Sequence, residues 1–186
     1  HIIPWNYPMQ IAGRSVGASL AAGNACVVKP AEDASLSLLR LAEIATEVGF
    51  PAGALNVVTG YGKEAGAALC AHPGIDHISF TGSTMTGRSV GVAAAERHCP
   101  VTLELGGKSP QIVFADADLD AAEPVLLNAI IQNAGQTCSA GSRVLVEQSV
   151  YEEVVQRLAK RFIAVRAGTP AEDLDMGPLI NEKQFR

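Results

Sequence analysis

Apolar residues along this chain fall into two alternating patterns: short unbroken runs, and longer stretches in which they recur every three or four positions. The runs are Ala25-Cys26-Val27-Val28-Lys29, Leu55-Asn56-Val57-Val58-Thr59, His77-Ile78-Ser79-Phe80-Thr81 and Val101 to Glu104. Their length and apolar continuity predict strands of a parallel sheet buried on both faces. Helices are predicted from Met9 to Ala22, from Leu36 to Val48 with Ser35 as N-cap, from Lys63 to Ala71, and from about Met85 to Glu96. Gly23-Asn24 and Gly49 close the first two. His1 to Pro8 reads as a strand end and a loop, since Pro4 and Pro8 oppose a regular helix there. Strands alternating with helices at this spacing imply crossover connections and helices on both sheet faces. Such sheets take ligands at the carboxyl ends of their strands, where Lys29, Gly60-Tyr61-Gly62, Gly82-Ser83-Thr84 and Glu104 fall.

Beyond Gly107 the pattern shifts. Gln111 to Phe114 and Ser142 to Glu147 read as strands, Leu119 to Gln132 and Val150 to Val165 as helices, and Gly168-Thr169-Pro170 opens a polar, turn-rich tail. The division is into a domain over 1–105 and a second over 106–186.

Composition narrows the function classes. Forty-eight per cent of the residues are hydrophobic, only 5% are aromatic, and the formal net charge is −5. A packed α/β protein fits this mixture, and a phosphate-backbone partner does not. The four cysteines stand far apart with no C-x-x-C pair, so neither a zinc site nor a disulfide framework is expected, and a reducing compartment is. The small-residue run from Val16 to Val28 is too short and interrupted to span a bilayer.

Two stretches carry candidate chemistry. Leu103-Glu104-Leu105-Gly106-Gly107-Lys108 sets a carboxylate at the end of an apolar run, just before a glycine pair. Gly135-Gln136-Thr137-Cys138-Ser139 sets a thiol in a small polar loop. Singly, Glu104 also fits a solvated strand end, and Cys138 a small packing residue. Together they fit a nucleophile and a base able to activate water against its adduct. The strand, Gly82-Ser83-Thr84 turn and helix start offer N–H groups and hydroxyls to an anion. Lys29 and Glu32 suit either ribose hydroxyls or a solvated loop, and a carboxylate there would repel a 2′-phosphate. Asn6 suits either a turn or a side-chain donor.

Five segments in order resemble the NAD(P)-dependent aldehyde dehydrogenase superfamily: Pro4-Trp5-Asn6-Tyr7-Pro8, Val28-Lys29-Pro30-Ala31-Glu32, Phe80-Thr81-Gly82-Ser83-Thr84, Leu103 to Pro110, and Gly135-Gln136-Thr137-Cys138. The resemblance implies a Rossmann-like NAD(P)-binding domain followed by the first part of an α/β catalytic domain. It implies oxidation of an aldehyde to a carboxylic acid with NAD, NADP being possible, through a thiohemiacetal and a thioester on Cys138. Asn6 then contributes to the oxyanion hole and Glu104 is the general base. Lys29 and Glu32 hold the adenosine ribose, Ser83 with Gly82 meets the pyrophosphate, and Trp5 walls the cofactor. No metal is implied. The expected partner is a small aldehyde, with no nucleic acid or membrane, in a cytoplasmic homodimer or homotetramer. Gln132 stands where several relatives carry an aromatic substrate contact. By the same resemblance the chain reads as an internal segment, expected to have little activity alone. The alternatives are a truncated, inactive cofactor-binding fragment and a coenzyme-A-acylating enzyme, against which Glu104 argues.

Overall fold

A computed structural model describes residues 1–186, which form two compact units, His1–Leu105 and Gly106–Arg186. The first unit is built in the order β1 (Ile2–Ile3), α1 (Pro8–Ala21), β2 (Cys26–Pro30), α2 (Leu36–Glu47), β3 (Leu55–Val57), a π-helical turn at Gly62–Gly66 leading into α3 (Ala67–Ala71), β4 (Ile78–Gly82), α4 (Thr84–Ala95) and β5 (Val101–Leu105). All its strands are parallel, in the spatial order β3-β2-β1-β4-β5. This is the expected α/β architecture, with the two-residue β1 at its centre.

Two apolar clusters flank the sheet, and the successive residues Ile2 and Ile3 of β1 fall one in each, as the pleat requires. Ile3, Cys26 and Val28 pack with Ile11, Val16 and Leu38 of α1 and α2. Ile78, Phe80, Leu103 and Leu105 pack with Cys70 of α3 and with Val90 and Ala94 of α4. The close approach of α4 to the sheet depends on Gly87, where any Cβ would collide with Leu105 Cδ2.

Local chemistry explains the helix starts, with corrections. Helix α1 begins at Pro8 itself, one residue before the expected Met9, because proline at the first helical position sacrifices no bonded N–H. Ser35 does not act as a side-chain cap. A 3₁₀ turn over Glu32–Ala34 brings it to φ −90°, ψ −27°, already helical, so it lacks the extended backbone of a capping residue. Ser83 has that backbone, at φ −71°, ψ 150°, and does cap α4. The helix expected from Lys63 opens as the π-helical turn instead.

In the second unit β6 (Pro110–Val113) and β7 (Arg143–Val146) form a parallel pair. Between them runs α5 (Leu119–Ile131), capped by Asp118 through Asp120 N and Ala121 N. Then α6 (Tyr151–Ala164) packs on α5 around Val113, Leu126 and Val154. Arg157 bridges Asp120, Glu123 and Glu153, and Arg161 bridges Glu123. A short α7 (Glu182–Phe185) ends the chain.

Candidate active site

The strand order reverses direction between β1 and β4. The chain steps outward through β2 and β3 on one side, and through β5 on the other. At such a switch point the loops leaving the strands diverge and open a crevice at their carboxyl ends. The loop after β1 carries Trp5 and Asn6, both half-buried, and the turn after β4 carries Ser83.

Ser83 is exposed, and its hydroxyl is tied into the helix start: Oγ accepts from Thr86 N at 3.2 Å and donates to Thr86 Oγ1 at 2.9 Å. Thr86 was not singled out from the sequence, although its three-residue spacing from a capping serine is the signal that finds it. Gly82 has no room for a side chain, since a Cβ there would stand 2.6 Å from Phe80 Cζ beneath the turn. The remaining N–H groups of the first turn of α4 make this end receptive to negative charge.

Lys29 is the only charged residue in the core, 2% exposed at the end of β2. Its ammonium donates to Pro30 O at 2.9 Å and to Glu32 Oε2 at 3.3 Å, leaving capacity for one more acceptor. Glu32 stays about half exposed, its side chain 48% accessible. Its own backbone N–H first, and then Lys29, hold its carboxyl below the ordinary carboxylate pKa. The Lys29 stem runs past the buried Gly66 of the π-helical turn, where a Cβ would lie 3.9 Å from Lys29 Cδ, at ordinary contact distance. A buried cation and a half-exposed carboxylate side by side suit a ligand that presents adjacent hydroxyls.

Glu104 is exposed and pairs in register with Thr81 across β4 and β5. Leu103 and Leu105 point into the cluster beneath α4, so Glu104 and Thr102 face the other side. There Glu104 lines a cleft of about 620 Å³ within the first unit, with Ser79, Thr81 and Thr102 among its other walls.

Cys138 belongs to the second unit. It lies exposed in a turn closed by the bond from Ala140 N to Thr137 O at 3.1 Å. Ahead of it Asn133, Ala134 and Gly135 take φ of 51°, 56° and 74°, a left-handed stretch. Glycine is required at 135, where a Cβ would stand 3.2 Å from Ile130 O. The other thiols differ. Cys26 and Cys70 are buried and Cys99 is half-buried. Burial pushes the Cys70 thiol above its ordinary pKa. The structure thus brings Lys29 to Glu32 and Ser83 to the start of α4, with Asn6 and Glu104 on the same unit, while Cys138 stands on the other.

Comparison with known proteins adds a common theme. The model of the aldehyde dehydrogenase family matches residues 1–186. A hydroxyisobutyraldehyde dehydrogenase of Mycolicibacterium austroafricanum is 50% identical over 186 residues, which are 100% of this chain and 37% of that protein. A crystal structure assigned to an aldehyde dehydrogenase from Burkholderia cenocepacia superposes with a TM-score of 0.96 at 75% identity, covering 99% of this chain and 39% of the other. Betaine aldehyde dehydrogenase from Staphylococcus aureus, solved with NAD+, gives a TM-score of 0.94 at 40% identity, over 98% of this chain and 36% of its own. The chain therefore spans a little over a third of the length of these relatives.

Proposed function

The chain belongs to the aldehyde dehydrogenase family, and on that premise we propose that the protein oxidises an aldehyde to a carboxylic acid, with Cys138 as nucleophile and NAD+ as oxidant. The observation that carries this reading is the Cys138 turn, an exposed thiol behind a left-handed, glycine-requiring stretch, in a chain whose other thiols are withdrawn into the fold. The Cys138 thiolate attacks the aldehyde carbon, forming a C–S bond and moving the carbonyl electrons onto oxygen. The Asn6 amide and the Cys138 N–H donate hydrogen bonds to that oxyanion. Bound NAD+ supplies the acceptor for the hydride that leaves the same carbon. Glu104 takes a proton from water, which adds to the resulting thioester. The C–S bond breaks, the carboxylic acid departs, and the thiolate returns.

For the cofactor, Lys29 and Glu32 serve the adenosine ribose, Ser83 and Gly82 the pyrophosphate, and Trp5 a wall of the site. The third hydrogen of the buried Lys29 ammonium, and the side-chain-free Gly82 ahead of the Ser83-capped start of α4, support this reading. The Glu32 carboxylate favours NAD over NADP, because it lies where a 2′-phosphate would add like charge.

The test is Glu104→Gln in the protein at its natural full length. A burst of NADH equal to the number of sites is expected, followed by turnover slowed on the order of 10²–10⁴-fold. If the burst disappears along with turnover, Glu104 acts before the thioester and its assigned role is wrong.

A further inference from the structure

The turn that presents Cys138 is held from both sides. Downstream, Ser109 N donates to Ala140 O at 3.2 Å and Gly141 N to Ala129 O at 2.9 Å, and the Ser142 hydroxyl adds a bond to Ala140 O at 3.0 Å. Upstream, one side chain does much of the holding. Gln136 Nε2 donates to Asn133 O at 2.9 Å, and Gln136 Oε1 accepts from Ile180 N at 3.0 Å. Gln136 N also donates to Asn133 O, at 3.1 Å, and Asn133 Nδ2 answers to Gln136 O at 3.3 Å. Two donors from one residue thus fill Asn133 O, the carbonyl at the start of the left-handed stretch.

That stretch resists its own conformation at Ala134, which carries a Cβ atom at φ 56° and holds it only when neighbours over-determine it. We propose that Gln136 is a positioning residue for Cys138: its carboxamide clamps the left-handed turn to the backbone at Ile180, and so fixes where the sulfur stands. The proposal rests on the reading of Cys138 as nucleophile. It also draws the segment ahead of α7, 44 residues further along, into the support of the nucleophile. Thr137 N, bonded to Gly135 O at 2.9 Å, carries the constraint onward to the residue preceding the thiol.

The experiment compares pre-steady-state NADH bursts of Gln136→Met, Gln136→Glu and Cys138→Ser in the protein at its natural full length. Burst amplitude counts folded, competent sites, whereas burst rate per site reports the geometry of attack. Gln136→Met preserves the bulk of the side chain and loses both amide contacts. Its rate per site should fall by about tenfold or more, with KM for NAD+ changed by less than about twofold. Gln136→Glu keeps an acceptor for Ile180 N and should fall less. A per-site rate in Gln136→Met within about twofold of wild type overturns the proposal. If the amplitude of that variant collapses, the per-site rate of Gln136→Leu, which also lacks both amide contacts, decides by the same criterion. Cys138→Ser should show no burst. A burst surviving there overturns the nucleophile reading, and with it the role given to Gln136, whereas a normal rate in Gln136→Met beside a silent Cys138→Ser overturns the positioning role alone.

Discussion

Iodoacetamide at neutral pH should sort the four thiols in the order Cys138, Cys99, Cys70, Cys26, each step for a different physical reason. The reagent takes the thiolate and must reach the sulfur. Cys138 is exposed and needs no opening. Cys99 is half-buried, its Sγ 3.6 Å from both Ile75 O and Pro100 O. Cys70, 4% exposed, lies on the five-residue α3, and a short helix after a π-helical turn opens at little cost. Its raised pKa then slows it further. Cys26, 1% exposed, packs from β2 against Ile11, Val16 and Leu38, so its sulfur is reached only when α1 and α2 lift from the sheet. For a domain at the low end of ordinary stability, about 5 kcal/mol, the open fraction is on the order of 10⁻⁴. Cys26 should therefore label about four orders of magnitude more slowly than Cys138. Peptide mapping by mass spectrometry over a labelling time course gives all four rates in one sample. Labelling of Cys26 within about tenfold of Cys138, or Cys99 overtaking Cys138, refutes the reasoning, because either result means the exposures do not govern access.

Other expectations follow from the first unit. Glu32→Gln should narrow the preference for NAD over NADP by roughly fivefold in kcat/KM, about 1 kcal/mol for a half-exposed charge, and an unchanged ratio assigns the preference elsewhere. Because the folded pKa of Glu32 is depressed, its contribution to stability is full above its ordinary pKa and is lost as pH falls through the lowered folded value. Urea midpoints from about pH 6 to about pH 3 should thus fall less steeply in Glu32→Gln than in wild type, and parallel curves argue against the linkage. Gly87→Ala should cost about 1–3 kcal/mol by forcing Leu105 aside, less the small gain of alanine in a helix. Pairing it with Leu105→Ala should recover part of that loss in thermal melts, and strict additivity would deny the contact.

The alternation of apolar runs and amphipathic stretches was enough to read the strand and helix sequence of the first unit, because both periodicities are local. Strand order was not legible. Every strand of a buried parallel sheet reads as the same apolar run, and nothing in Ile2-Ile3 marks it as central. Ser35 was misread for a related reason. A serine before a helix is a cap only if its backbone is extended, and the preceding 3₁₀ turn, set by Glu32–Ala34, had already bent it. Ser83 looks the same in sequence and does cap, since it leaves a strand.

The candidate chemistry was legible as residue types and hidden as geometry, and the hidden part follows one rule. Lysine is ordinarily exposed, alanine ordinarily avoids positive φ, and a core strand ordinarily avoids charge. Lys29 and Ala134 break these expectations. Each exception stands in or beside a segment proposed for cofactor binding or catalysis, and each is held by hydrogen bonds to or around it. Lys29 is held by Pro30 O and by the carboxylate of Glu32. Ala134 stands inside the turn that Gln136 ties to Ile180. Sequence patterns register what a residue prefers. A strained or buried polar group persists through partners that outweigh that preference, and only the folded chain displays them. The glutamine two residues before Cys138 therefore reads, in sequence, as one letter of a motif, and acquires a distinct task only once its carboxamide is seen to join Asn133 to Ile180.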